Sequence, residues 1–94
     1  MFPDLKNQFM LDPKIVFLNH GSFGACVKSV YEDLLKWQQK LEHEPVKFFE
    51  DTILDALQTS RQVLGDYVGC CSDDLVYFPN PTTAVNAVAR SLKL

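Results

Sequence analysis

The stretch VYFPNPTTAVNAVARSL, residues 76–92, changes character at Asn80. Before it, Leu75-Val76-Tyr77-Phe78 is a run of large apolar residues that reads as a strand buried on both faces. After it, Val85, Val88 and Leu92 recur at helical spacing with Ala84 and Ala87 nearby, which predicts a helix from Pro81 to about Leu92. Asn80 can cap that helix, Pro81 suits its first position, and Arg90 and Lys93 complement the dipole near its C-terminus. Thr82 and Thr83 then present N–H groups and hydroxyls at a helix N-terminus, where the partial positive charge favours an anion. Two readings stand on these residues, an ordinary cap and a phosphate site. The place directly after a buried-type strand weighs toward a ligand, because open α/β sheets bind beyond the carboxyl ends of their strands.

Upstream, Phe49, Ile53, Ala56, Leu57, Leu64, Tyr67 and Val68 form a second helical stripe that Gly69 is placed to end. Ser72-Asp73-Asp74 follows as a polar turn. An earlier amphipathic helix carries Val27, Val30, Tyr31, Leu34, Leu35 and Leu41, and ends near Glu44 because Pro45 disfavours helical geometry in its predecessor. Trp37 stands off this stripe and is expected to cover a second contact. The link from Glu44 to Phe49 either only connects or forms a lip over a neighbouring site, with Lys47 open to an acidic ligand group. Asn19-His20-Gly21-Ser22-Phe23-Gly24 is a shaped loop whose glycines permit positive φ or close backbone approach. Ile15 to Leu18 is a strand or a buried extended segment, and the first dozen residues, with Pro3 and Pro13, read as an extended arm.

At 94 residues the chain holds one domain at most, and its 47% hydrophobic and 22% charged residues are those of a folded protein. The net charge of −3 and the scattered basic residues argue against nucleic acid, which requires clustered Lys and Arg. No apolar run approaches a signal-peptide core or a membrane span, so a cytoplasmic protein is expected. Cys26, Cys70 and Cys71 are odd in number and lack metal-ligand spacing, and His20 and His43 add none, so neither a disulfide framework nor a metal site is indicated. The carboxylates are spread over helix faces, and no Ser-His-Asp, Cys-His or Gly-rich nucleotide motif can be assembled. A lone strand also needs neighbours for its backbone groups, so the chain reads like one end of a larger α/β protein, and its open strand edge invites association.

In series, FLNHGSFGACVKSV, EPVKFFED and DDLVYFPNPTTAVNAVARSL resemble the N-terminal part of the class V aminotransferase family, in particular its isopenicillin N epimerase-like members. The resemblance covers nearly the whole chain beyond the arm. It implies a fold type I transferase dependent on pyridoxal 5′-phosphate, acting on an amino acid or related amine as a homodimer when full length. It places Thr82 and Thr83 on the cofactor phosphate with Asn80 shaping the turn, and Asn19, His20, Gly21 and Ser22 on the substrate side. Pro81 departs from the small residue, such as Ala, that relatives tend to have, and removes one backbone N–H. None of the seven lysines sits in a setting like that of the lysine that holds the cofactor, so no catalytic residue is assigned and the chain alone is expected to be inactive.

The expected fold is therefore an α/β fragment, mainly three helices with one or two short strands. Its segments are an arm at 1–14, an extended segment and loop at 15–26, a helix pair at 27–69 and a strand-turn-helix phosphate cradle at 75–94. Two other readings remain at this point: a small helical, non-enzymatic interaction module, and a fragment that binds phosphate ligands without catalysis.

Overall fold

A computed structural model describes residues 5–93. The expectations on residues 1–4 of the arm and on Leu94 lie outside these described residues. The elements run as a 3-10 turn at Lys6–Gln8, α1 at Lys28–His43, the single turn α2 at Pro45–Lys47, a π-helical turn at Phe48–Thr52, α3 at Ile53–Val68, a 3-10 turn at Ser72–Asp74 and α4 at Pro81–Ser91. They divide between Phe48 and Phe49 into two units.

In the first unit α1 begins after Val27 with no side-chain cap and stops at Glu44, whose φ of −151° lies outside helical space, as the following proline requires. Lys40 and His43 fall in its last turn, where positive charge suits the dipole. The helix-to-helix connection is itself helical, since Pro45 takes the first position of α2. Trp37 meets Phe48 edge-on at 6.2 Å between ring centroids, which is the second contact expected of it. The arm is not simply extended: Lys6–Gln8 turns, Phe9 pairs with Val27 in an isolated antiparallel bridge, and Lys28 Nζ donates to the Asn7 carbonyl at 2.9 Å.

In the second unit α3 ends as Gly69 turns left-handed at φ 79°, and the N–H groups of Gly69 and Cys70 both donate to the Gly65 carbonyl. The chain then folds back so closely that a Cβ on Gly65 would lie 2.7 Å from the Cys70 carbonyl oxygen. Gln58 Nε2 donates to Ser72 Oγ at 3.4 Å and a 2.7 Å hydrogen bond joins Ser60 Oγ to Tyr77 OH, tying the following turn and segment to α3.

Three long helices agree with the sequence reading, but the strands do not. Neither Ile15 to Leu18 nor Leu75 to Phe78 is a strand, and no sheet exists among the described residues. Leu75 is locally extended, at φ −102° and ψ 135°, so the sequence encodes extended backbone there. A strand needs a neighbour to take its ladder hydrogen bonds, and none is present among the described residues. The association expected from an open strand edge loses its basis with the strand.

What replaces it is exposed helix surface. No apolar side chain is buried among the described residues, and the accessible surface is 8653 Å². A folded chain of this mass exposes about 5,500 Å², and two separate globules of half the mass about 6,600 Å². The excess therefore reaches about 2,000 Å² or more however the two units are counted. No helix among the described residues is long and apolar enough to cross a membrane.

Candidate functional site

The N-terminus of α4 is built by Asn80. Its backbone is extended, at φ −162° and ψ 161°, and its Oδ1 accepts from the Thr83 N–H at 2.8 Å and from the Thr83 hydroxyl at 2.9 Å. Pro81 occupies the first helical position and has no N–H to satisfy. The sequence predicts outward donors on both threonines, whereas both donors of Thr83 are engaged by Asn80. The Asn80 side chain thereby satisfies one of the orphan N–H groups of the helix start. Thr82 keeps its N–H and hydroxyl without a partner among the described residues, while its carbonyl accepts from Asn86 Nδ2 at 3.0 Å. The free donor set for an anion is thus the N–H and O–H of Thr82. Thr83 joins it only on releasing Asn80.

Beside the cap lies an open cleft of about 400 Å³ lined by Val76, Phe78, Pro79, Asn80, Pro81 and Ala84. Its walls are mostly apolar, and neither Thr82 nor Thr83 is among them. The donors for a phosphate, at Thr82, and the apolar walls of the cleft are separate features of the same helix start, and together they match a phosphate-bearing ring compound in chemistry alone.

In the other unit, Asn19 Oδ1 accepts from the Ser22 N–H at 3.2 Å and closes a turn over His20 and Gly21. His20 Nδ1 accepts from the Ala25 N–H at 3.3 Å, which requires the neutral ring to carry its proton on Nε2. The imidazole meets Phe17 edge-on at 4.7 Å and tilts against Phe9 at 5.9 Å. These contacts form one wall of a cleft of about 320 Å³ that Leu5, Lys6, Leu11, Ile15 and Val16 complete. His20 is therefore oriented by its Nδ1 hydrogen bond and two ring contacts. Neither glycine has positive φ, which among the described residues only Gly69 adopts, and close backbone approach holds for Gly24 alone. A Cβ on Gly24 would come within 3.3 Å of the His20 carbonyl oxygen, whereas one on Gly21 would have room.

The structure joins Asn80 to Thr83, and Asn19 to Ser22, but these two groups belong to different units. Lys47 pairs with Glu44 at 3.5 Å on an exposed turn. Sequence reasoning missed Arg61, whose guanidinium donates to Gln58 Oε1 and whose Nε is enclosed without a partner. Arg61 lies three residues after Gln58 on α3, a spacing that carries side-chain pairs on any helix and so gave no distinguishing signal. No group of metal-ligating side chains assembles among the described residues.

Isopenicillin N epimerase of Streptomyces clavuligerus is 33% identical over 91 residues, a match that covers 97% of this chain and 23% of the relative. Isopenicillin N epimerase of Amycolatopsis lactamdurans is 32% identical over 88 residues, covering 94% and 22%. L-cysteine desulfhydrase of Arabidopsis thaliana is 32% identical over 76 residues, covering 80% and 17%. The chain spans about a fifth of the length of these curated relatives. No protein-family profile and no solved structure matches it.

Proposed function

We propose that this chain is the N-terminal segment of a pyridoxal 5′-phosphate enzyme of the class V aminotransferase type. The whole enzyme would act on an amino acid or related amine by amino transfer, epimerisation or carbon–sulfur cleavage. The observation that carries this reading is that relatives of two different names match 80–97% of the chain while the chain spans only 17–23% of theirs. The missing core supports it as well, since a segment cut from a larger α/β fold leaves its helix faces uncovered.

In this reading Asn80 and Pro81 set the start of α4, and Thr82 supplies an N–H and a hydroxyl to the cofactor phosphate. Thr83 is the reserve donor held by Asn80. The Asn19–Ser22 turn sits on the substrate side, where His20 offers an Nε2 proton to an acidic group of the substrate. When bound, pyridoxal phosphate supplies an electron sink for charge developing on the substrate α-carbon. In this reading the lysine that holds the cofactor lies in further sequence, the segment by itself is inactive, and the whole enzyme is a homodimer.

Reading the source DNA downstream tests the segment assignment: an α/β continuation bearing a lysine in the cofactor-anchoring setting is expected, and its lack sinks the assignment. The cradle has its own test. Titrating pyridoxal phosphate against the chain and against a Thr82→Ala, Thr83→Ala double variant should show weaker binding to the variant, and equal affinity counts against the cradle. Asymmetry between the two positions is also expected, with Thr82→Ala the more damaging single change.

A further inference from the structure

Tyr77 stands between two residues that face the other way. Val76 and Phe78 line the cleft beside the α4 cap, whereas the Tyr77 hydroxyl shares a 2.7 Å hydrogen bond with Ser60 Oγ of α3. This is the period-two alternation of extended backbone, the conformation of Leu75 before it and of Asn80 after it. With no sheet among the described residues, no ladder decides which face of the segment turns to the cleft. The bond to Ser60 does, because a slip of one residue in either direction brings Val76 or Phe78 to Ser60, and neither has a hydroxyl.

A second anchor holds the approach to the same segment. Gln58 Nε2 donates to Ser72 Oγ at 3.4 Å, three residues before Leu75. Arg61 decides which end of the Gln58 amide meets Ser72: a guanidinium only donates, so it takes Oε1 and leaves the amino end for Ser72. The Arg61 Nε is enclosed, which keeps this guanidinium at work inside the unit. Both anchors therefore spring from one turn of α3, residues 58–61, and reach Ser72 and Tyr77.

We propose that Tyr77 and Arg61 are positioning residues of the phosphate cradle. Tyr77, held by Ser60, selects the apolar face that Val76 and Phe78 offer to the ring part of a phosphate-bearing ligand. Arg61, through Gln58 and Ser72, fixes where that segment begins. Neither touches the ligand. The cap is a separate, local device of Asn80 and Thr83, so it survives loss of either anchor. The ligand's identity rests on the proposed function, whereas the two anchors do not.

Nuclear Overhauser contacts between the Tyr77 ring and Ser60 in the 94-residue chain test the latch without any ligand, and their absence overturns the proposal. Its role is read by titrating two probes in parallel: inorganic phosphate, and pyridoxine 5′-phosphate, which has the ring and phosphate but no aldehyde to react with lysines. Tyr77→Phe and Ser60→Ala break one bond from its two ends. Each should weaken pyridoxine phosphate about three- to tenfold, the range of a single hydrogen bond, and leave both inorganic phosphate affinity and helix content unchanged. The double variant should be no weaker than either single one. Arg61→Met and Gln58→Met should weaken the same probe, while Gln58→Glu, whose carboxylate accepts from both Arg61 and Ser72, should bind as the wild type does. Variants that bind pyridoxine phosphate as tightly as the wild type overturn the proposal and leave the cradle standing. Equal losses of both probes overturn it too, because the latch then serves the fold alone. A wild-type chain that does not bind pyridoxine phosphate removes the cofactor reading and the proposal together.

Discussion

Gly65 is the residue whose identity the backbone fixes most firmly. An added methyl group would meet the Cys70 carbonyl oxygen at 2.7 Å and the Ser72 nitrogen at 3.4 Å, both backbone atoms that cannot swing aside. Gly65→Ala should therefore cost about 1–3 kcal/mol locally. The measurement is amide exchange, with faster exchange expected at Gly69 and Cys70, whose N–H groups share the Gly65 carbonyl. Asn80→Ala removes the acceptor of two hydrogen bonds and should cost about 1 kcal/mol of α4 stability, visible as a loss of helical chemical shifts over 81–84. That cap was legible in the sequence because Asn-Pro before a helical stripe has few other readings. The capture of the Thr83 hydroxyl was not, since it depends on a rotamer. Lys36 gives a pH-dependent prediction. Its hydrogen bond to Asp33 and the Asp33 charge raise its pKa above the ordinary lysine value. A raised folded-state pKa stabilises below the unfolded value and loses that contribution as pH climbs through the folded one, and full exposure keeps it small. Asp33→Asn should lower the Lys36 titration midpoint seen by side-chain NMR.

Helices were readable from the chain because their signals are local. The Val27 to Leu41 stripe, Pro45 after Glu44, and Gly69 after Val68 predicted the two longest helices to within a residue or so of α1 and of the end of α3. The π-helical turn at Phe48–Thr52 was not readable, as its five residues continue the helical pattern of α3. The strands failed for a non-local reason: Leu75 to Phe78 has the composition of a buried strand but no neighbouring strand to bond. If that segment is a strand in a longer protein, its amides will exchange slowly there and rapidly in the isolated chain. Trp37 shows the same dependence on context. Off the α1 stripe, it meets Phe48 edge-on and carries the Lys40 ammonium over its ring.

For the whole molecule, the decisive quantity is the 8653 Å² of accessible surface with no apolar side chain buried among the described residues. Uncovered surface on this scale agrees with the proposed reading, in which further sequence packs on these helix faces. The candidate site was legible in part: Asn80, Thr82 and Thr83 could be found from the cap pattern, and the resemblance added a cofactor that no local residue pattern specifies. The orientation of His20 between Phe9 and Phe17 could not be found, because it arises from residues eleven and three positions away. The most direct test of the central claim is a graft of this chain in place of the matching segment of the Streptomyces clavuligerus isopenicillin N epimerase. The measurement is the pyridoxal phosphate retained after exhaustive dialysis. A folded dimer that keeps the cofactor is expected, with the Thr82→Ala, Thr83→Ala version retaining it at least tenfold more weakly. A graft that folds and dimerises but retains no cofactor, or a double variant that retains it equally well, would show that residues 80–83 do not form the phosphate cradle.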